Sequence, residues 1–171
     1  MRTIRKGPEP NQLTQHRLAS PVDYDGFPGK DELRRNLVRE QRGLCCYCLS
    51  SIGADSGRMR IEHWRSQHSH PTERLVYSNL LAACKGSENG IDSHCDVSKG
   101  GGHLSRNPAN PSHAVEELIR YENGLMVASD AEFDRQMNAT LNLNCKFLQQ
   151  SRKQTLTAFQ LALGKRSLQK K

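Results

Sequence analysis

Four cysteines are spaced so that they could bind one metal ion. Cys45 and Cys48 form a Cys-x-x-Cys turn, and Cys84 and Cys95 follow with ten residues between them. Zinc prefers four tetrahedral thiolate or imidazole ligands, and such a turn brings two sulfur atoms about 3.5 to 4 Å apart, as that geometry requires. We therefore predict a structural zinc site formed by Cys45, Cys48, Cys84 and Cys95.

Two other assignments of these residues stay open. His94 could replace Cys95 as a ligand, or the cysteines could all be small buried thiols, a common environment for this residue type. The second alternative leaves the tight spacing of the first pair unexplained. Cys46 is expected to point away from the turn and Cys145 to lie on an apolar helix face, so both should lie outside the site.

The residues between and after the two cysteine pairs suit the hydrolysis of a phosphodiester. That reaction needs a base for water and a cation that neutralises charge on the phosphate and on the leaving oxygen. His63 can be the base, because neutral imidazole with its pKa of about 6.5 accepts a proton at physiological pH. Asp96 offers an oxygen ligand for Mg²⁺ or Mn²⁺. Glu62 can add a second one only if its strand twists or ends there, since neighbouring strand residues face opposite sides.

Two further residues complete the predicted constellation. Asn79 is expected to hydrogen-bond and orient His63, and Lys99 to contact a phosphate. Each residue also has an ordinary interpretation: Asn79 or Asp96 could cap a short helix, Lys99 could belong to a mobile glycine loop, and a histidine on a strand is commonly a core residue. Only their joint order along the chain is specific.

The elements that must position these residues indicate an α+β fold. Residues 1–29 contain four prolines and no sustained periodicity, which predicts an irregular N-terminal arm. Residues 30–111 form the predicted core with the zinc site. It begins with a helix over 30–42, stopped by Gly43, followed by the cysteine turn and a strand over 58–64.

The rest of the core and the C-terminal extension follow from the same patterns. Residues 77–84 are expected to form a short buried helix, 85–94 an irregular insertion, and 95–99 the start of another helix. Residues 112–171 are predicted to add a β-hairpin, with strands over 117–121 and 125–128, and a docked basic helix that ends at Gly164. The apolar face of that helix carries Cys145, Leu148, Leu156, Phe159 and Leu163.

Charge is distributed unevenly along the chain. The formal net charge is +7, yet residues 135–171 hold eight Lys or Arg and no Asp or Glu, whereas the remainder holds 17 basic and 18 acidic residues. A basic face attracts nucleic-acid phosphates, although it could also be a solvated helix face. With no apolar run long enough for a membrane span and no signal peptide, we expect a cytoplasmic protein without membrane contact. A reducing compartment favours metal binding over disulfides.

The order of these motifs resembles the HNH, or ββα-metal, endonuclease family. Its zinc-bearing members have Cys-x-x-Cys, then Asp/Glu-His, then Asn-Leu, then a second cysteine pair followed by His or Asn and Lys. The resemblance runs from Cys45 to Lys99. It implies that His63 is the general base, that Asn79 is the middle residue of the motif, and that Asp96 stands where the family has its last His or Asn.

Further segments resemble one branch of that family. The opening Met-Arg-Thr-Ile-Arg-Lys, the Gly-Leu-Cys-Cys-Tyr-Cys turn, the Asn-Gly hairpin and Leu-Asn-Leu-Asn at 141–144 are similar to the PtuB-like HNH component of retron and Septu anti-phage systems. That resemblance implies a PtuA-like ABC-type ATPase as partner. In retron versions it also implies a reverse transcriptase with its RNA-DNA hybrid (msDNA).

The sequence therefore leads to two hypotheses from different classes. The first is a metal-dependent endonuclease that cleaves DNA, tRNA or another RNA, with separate structural and catalytic metals. The second is a non-catalytic zinc-ribbon adaptor that binds nucleic acid or an ATPase. The combination of Glu62, His63 and Asp96 favours the nuclease, because an adaptor has no need of it.

Overall fold

The computed structural model describes residues 1–19, 23–86 and 92–168, with side chains described as far as Gly164. Its architecture is mixed α+β, as predicted. The helices are α1 (Asn11–Leu18), α2 (Lys30–Glu40), α3 (Asp96–Lys99), α4 (Val115–Leu118), α5 (Ala131–Arg135) and α6 (Lys146–Leu168). The strands are β1 (Arg60–His63), β2 (Leu80–Ala83), β3 (Ile119–Glu122) and β4 (Leu125–Ala128).

Strands β1 and β2 form the antiparallel pair at the centre of the core. Glu62 lies opposite Leu81 and His63 opposite Leu80. The helix predicted over 77–84 is wrong, because a 3-10 turn (Tyr77–Asn79) leads directly into β2, whose four residues are all buried. A short run of apolar residues has no periodicity that separates a buried strand from a buried helix. Here the pairing with β1 decides between them.

The N-terminal arm is more ordered than its prolines and glycines indicate. It contains helix α1, where the sequence predicted irregular structure, and Met1, Ile4, Leu13 and Phe27 are all buried. Helix α1 has a single buried residue and so lacks the apolar spacing by which a helix is recognised. The arm packs into the hydrophobic core, and its residues 20–22 lie outside the described part of the chain.

Helix α2 confirms the prediction for the start of the core. Gly43 has φ of +73°, and its amide donates a hydrogen bond to the carbonyl of Val38 at 2.9 Å, which closes the helix end. Just after the helix, the buried side chain of Gln41 donates to the carbonyl of Ala82 at 2.7 Å and accepts from its amide at 2.8 Å. These two bonds attach the end of α2 to β2.

The second hairpin also confirms its prediction. Strands β3 and β4 are antiparallel, and they are joined by Asn123 and Gly124 with φ of +48° and +84°. Two consecutive positive φ values define the tight turn that matches the twist of a hairpin, and Asn-Gly is the pair that adopts it most readily.

The prediction for the C-terminal helix is wrong in two respects. Helix α6 continues past Gly164 to Leu168, and among its side chains described as far as Gly164 those that are buried or half-buried lie near its start. Cys145 and Leu148 are buried, whereas Leu156, Phe159 and Leu163 are 56%, 60% and 49% exposed. The predicted insertion over 85–94 can be compared only in part, because residues 87–91 lie outside the described ranges. Across the described helices, none combines the length and the hydropathy that a membrane crossing requires.

Candidate metal centre and active site

The four cysteines singled out from the sequence converge on one point. Their sulfur atoms all lie within 4.8 Å of one another. The Sγ atoms of Cys45 and Cys95 are 3.8 Å apart, and those of Cys48 and Cys84 are 3.6 Å apart. Tetrahedral bonds of about 2.3 Å to a zinc ion separate sulfur ligands by roughly 3.8 Å. The cluster therefore fits a single metal ion such as zinc.

Backbone hydrogen bonds build the turn that carries the first cysteine pair. The amide of Cys45 donates to the carbonyl of Ser50 at 2.9 Å, and the amide of Leu49 donates back to the carbonyl of Cys45 at 3.2 Å. The amide of Cys46 donates to the carbonyl of Ala82 at 2.9 Å. The turn is thereby fixed against β2, the strand that the third cysteine follows.

The second pair comes from two separate segments. Cys84 directly follows β2, and Cys95 directly precedes α3. Cys95 has φ of +58°, and its amide donates to the carbonyl of Leu141 at 2.8 Å. A metal ion held by all four sulfurs would join the turn, the end of β2 and the start of α3.

The geometry also answers the alternatives raised for the other thiols and for His94. Cys46 and Cys145 are buried but lie outside the cluster, as predicted. Cys95 belongs to the four, whereas His94 lies beside them: its Nδ1 donates to the carbonyl of Asp92 at 2.8 Å, and a hydrogen bond to Cys48 raises its pKa. His94 is a neighbour of the cluster and not one of its four members.

His63 is the last residue of β1, and its side chain is buried. Its Nε2 lies 2.9 Å from the carbonyl oxygen of Arg74. Because a carbonyl can only accept, Nε2 carries the proton, and Nδ1 of the neutral ring keeps its lone pair. Burial is the main cause that lowers the pKa of His63 to about 4. The ring is therefore neutral at physiological pH and able to accept a proton at Nδ1.

Asn79 acts on the loop between β1 and β2 and not on His63 itself. Its Oδ1 accepts a hydrogen bond from the amide of Arg65 at 2.7 Å, and its Nδ2 donates to the carbonyls of Arg65 and Glu73 at 3.1 Å each. The predicted direct hydrogen bond to His63 is therefore wrong. Asn79 instead fixes the ends of the loop, and the carbonyl of Arg74 that holds the imidazole comes one residue after Glu73.

Lys99 is buried, which corrects the prediction that it contacts a phosphate. Its Nζ lies 2.8 Å from Oε1 of Glu62 and donates to the carbonyl of His63 at 2.8 Å. The hydroxyl of Tyr47 donates to the same carboxylate oxygen at 2.7 Å. Lys99 reaches inward from α3 because an unpaired carboxylate at this depth would be costly. Its role in this structure is to neutralise Glu62 and to tie α3 to β1.

Asp96, the first residue of α3, lies beside Glu62. Burial first, and then hydrogen bonding and charge from Asp96, raise the pKa of Glu62 well above its ordinary value, against the opposing effect of Lys99. On its other side, Asp96 pairs through Oδ2 with Nε of Arg60 at 2.7 Å. The structure thus brings Glu62 and Asp96 together. The alternation of side chains along a strand directs those of Glu62 and His63 to opposite sides of β1.

Three residues at this site were missed in the sequence. Tyr24 packs edge-on against the His63 ring with centroids 4.5 Å apart, Tyr47 binds Glu62, and Arg60 binds Asp96. The signal for Arg60 was present, because it precedes Glu62 by two positions on a strand and so shares its face. Tyr24 comes from the N-terminal arm, and no local pattern connects it with the site.

Comparison with known proteins gives no family assignment. No protein-family model matches the chain, and no curated protein matches it at a significant level of sequence similarity.

Proposed function

We propose that this protein is a metal-dependent endonuclease of the HNH type that hydrolyses phosphodiester bonds in DNA or in RNA such as tRNA. The observation that carries the proposal is the set made by His63, Glu62 and Asp96. The neutral imidazole of His63, whose Nε2 donates to the carbonyl of Arg74, lies at the end of β1. The carboxylate of Glu62, the preceding residue of the strand, contacts that of Asp96. The chain order of β1, β2 and α3 around the cysteine cluster supports it.

In this proposal His63 takes the proton of the attacking water at Nδ1. The carbonyl of Arg74 keeps the ring in the required tautomer, and Asn79 keeps the supporting loop in place. Burial holds the imidazole uncharged, so it is in the basic form before the substrate arrives. Tyr24 covers one edge of the ring and limits its movement.

Glu62 and Asp96 are the residues that would hold a divalent cation, with Asp96 as the accessible ligand and Glu62 beside it, still paired with Lys99. Their fit rests on the contact between the two side chains and on the partial exposure of Asp96. Burial first, and then the hydrogen bond and the charge of Asp96, raise the pKa of Glu62, and a cation bound there would relieve the repulsion between the two groups. Mg²⁺ and Mn²⁺ are commonly bound by one or two carboxylates together with water and phosphate oxygens. Such an ion would stabilise negative charge on the phosphate and the leaving oxygen.

We assign zinc to the cysteine cluster, with a structural role. Four thiolates leave no open position for a substrate at a tetrahedral ion. The sulfurs come from the segments on either side of β1, so the ion would fix the frame in which His63 and the two carboxylates stand. The catalytic and structural metals are therefore separate.

The biological setting that we propose follows from the resemblance to PtuB-like proteins. In that setting the protein is the toxic effector of an anti-phage defence complex, with a PtuA-like ABC-type ATPase and, in a retron, a reverse transcriptase with its RNA-DNA hybrid. The exposed apolar residues on α6 support a protein partner, because contiguous apolar surface on a soluble protein commonly marks an interface.

The test is a cleavage assay with three proteins: the wild type, His63→Ala and His68→Ala. His68 is an exposed histidine in the loop after β1 and serves as the matched control. Each protein, alone and with a PtuA-like ABC-type ATPase, is incubated with DNA and RNA in Mg²⁺, Mn²⁺ or EDTA. We expect the wild type and His68→Ala to cleave nucleic acid in Mg²⁺ or Mn²⁺ but not in EDTA. His63→Ala should not cleave in any condition, and its zinc content should be unchanged.

Two results would contradict the nuclease proposal. Cleavage by His63→Ala at the wild-type rate would remove the assigned base. Binding of nucleic acid or of the ATPase by the wild type with no cleavage under any condition would favour the zinc-ribbon adaptor.

A further inference from the structure

The two carboxylates of the candidate active site have counter-ions of different kinds. Glu62 is paired with Lys99 at 2.8 Å, and the two side chains are 2% and 1% exposed. Asp96 is paired with Arg60 at 2.7 Å, and here the exposed fractions are 16% and 50%. The first pair is sealed in the protein, whereas the second reaches the solvent.

This difference in burial decides which pair can change partners. Separating Lys99 from Glu62 would leave an uncompensated charge in the interior, which is strongly unfavourable. The pair of Arg60 and Asp96 costs less to separate, because the half-exposed guanidinium of Arg60 is solvated by water when it leaves. Arg60 can therefore leave Asp96 at small cost when a competing cation arrives.

Once Arg60 is released from Asp96, its position on β1 also allows it to contact a substrate. It begins β1 two residues before Glu62, so both side chains extend from the same face of the strand. A guanidinium is a planar group whose paired N–H donors match two phosphate oxygens at once. Lys99 is enclosed against Glu62 and cannot fill that role.

We propose that Arg60 exchanges partners during the reaction. In the free protein it neutralises Asp96, and when a divalent cation takes that carboxylate, the guanidinium turns to the phosphodiester of the nucleic acid. This inference rests on the proposed function, and it names the phosphate-contacting residue of the same site.

The first experiment measures the affinity for Mn²⁺ by electron paramagnetic resonance on zinc-loaded protein. The variants are Arg60→Ala and, as matched control, Arg58→Ala, which removes the same charge from an exposed position two residues away. Loss of a competing guanidinium should make Arg60→Ala bind Mn²⁺ about two- to fivefold more tightly than Arg58→Ala. Zinc content and circular dichroism check that the wild type and both variants are folded.

The second experiment measures the binding of fluorescent DNA and RNA oligonucleotides in Mn²⁺. Both variants are placed in a His63→Ala background, which prevents cleavage. Loss of a charge-assisted bidentate contact should make Arg60→Ala bind the preferred oligonucleotide about tenfold or more weakly than Arg58→Ala.

The outcomes separate this inference from the proposed function. Tighter Mn²⁺ binding together with weaker oligonucleotide binding in Arg60→Ala supports the exchange. Equal behaviour of the two variants in either assay overturns the exchange and leaves the nuclease proposal standing. An absence of Mn²⁺ binding in the wild type and in both variants removes the cation site, and with it the proposed function.

Discussion

The core around β1 and β2 and the C-terminal helix α6 are held in opposite ways. In the core, residues distant in sequence meet: Cys45 and Cys95 lie 3.8 Å apart across fifty positions, and Lys99 reaches Glu62. In α6, the twelve residues from 153 to 164 cover every face of the helix and are all exposed. This stretch of the helix is therefore held mainly by its own backbone hydrogen bonds, because its side chains bury little surface.

The difference shows where sensitivity to substitution must lie. The core contains little regular secondary structure, because β1 and β2 have only four residues each. Its stability therefore depends on contacts between side chains. Beyond its docked start, the described side chains of α6 from residue 153 to residue 164 are all exposed. A matched set of substitutions in the two regions should therefore give very different losses of stability.

The largest effect is expected for Cys84→Ser. Structural zinc sites contribute about 10 to 16 kcal/mol in small zinc-binding peptides, which equals or exceeds the usual stability of a whole domain, about 5 to 15 kcal/mol. We expect the variant to lose its bound metal and its cooperative thermal transition, measured by elemental analysis and circular dichroism. Cys145→Ser, at a buried thiol outside the cluster, should retain the metal. A Cys84→Ser protein with a wild-type melting temperature would contradict the role of the cluster.

The next effect concerns the buried ion pair. Lys99→Met leaves the carboxylate of Glu62 without its cation and should lower the free energy of unfolding by about 3 to 5 kcal/mol. Urea denaturation measures the loss. The double variant with Glu62→Gln should recover most of it, whereas Lys146→Met, at an exposed position, should change little. No recovery in the double variant would mean that Lys99 acts through packing alone.

A smaller loss is expected in the loop between the two strands. Asn79→Ala removes three hydrogen bonds to the backbone of Arg65 and Glu73, and it should cost about 2 to 3 kcal/mol. Native-state hydrogen exchange gives a local readout, because the amide of Arg65 loses its acceptor and should exchange faster. Unchanged exchange at Arg65 would argue against this role of Asn79.

The smallest effect completes the comparison within one helix. Leu156→Gln, at a side chain that is 56% exposed, should change the free energy of unfolding by no more than about 0.5 kcal/mol. Leu148→Ala, two turns earlier and 2% exposed, should cost about 2 to 5 kcal/mol. Urea titration of both variants checks the contrast, and a large loss at Leu156 would show that the far part of α6 is packed.

The sequence predicted the features that depend on local spacing. The turn of Cys45 and Cys48, the stop at Gly43 and the Asn123-Gly124 hairpin follow from short-range geometry, and the structure agrees with each. The convergence of Cys84 and Cys95 on that turn was predicted from ligand number alone, because zinc needs four donors.

The errors concern features that tertiary contacts decide. The strand character of Leu80–Ala83 is set by pairing with β1, and the inward direction of Lys99 is set by the buried carboxylate of Glu62. Leu156 and Phe159 have the spacing of a buried face, yet no described part of the chain covers them. Amphipathic spacing states that a face suits burial and does not identify what buries it.

Arg152 anchors the start of α6, and its position fixes how much of the helix lies beyond the anchor. Its guanidinium donates to the carbonyls of Gly124 and Leu143 at 3.0 Å and 2.6 Å, which clamps the start of the helix to the tip of the second hairpin. Beyond that clamp the helix runs on through Leu168, a length of roughly 24 Å at the usual rise per residue. A protein that bound the distal end of α6 would therefore hold the rest of the molecule at about the length of this helical segment.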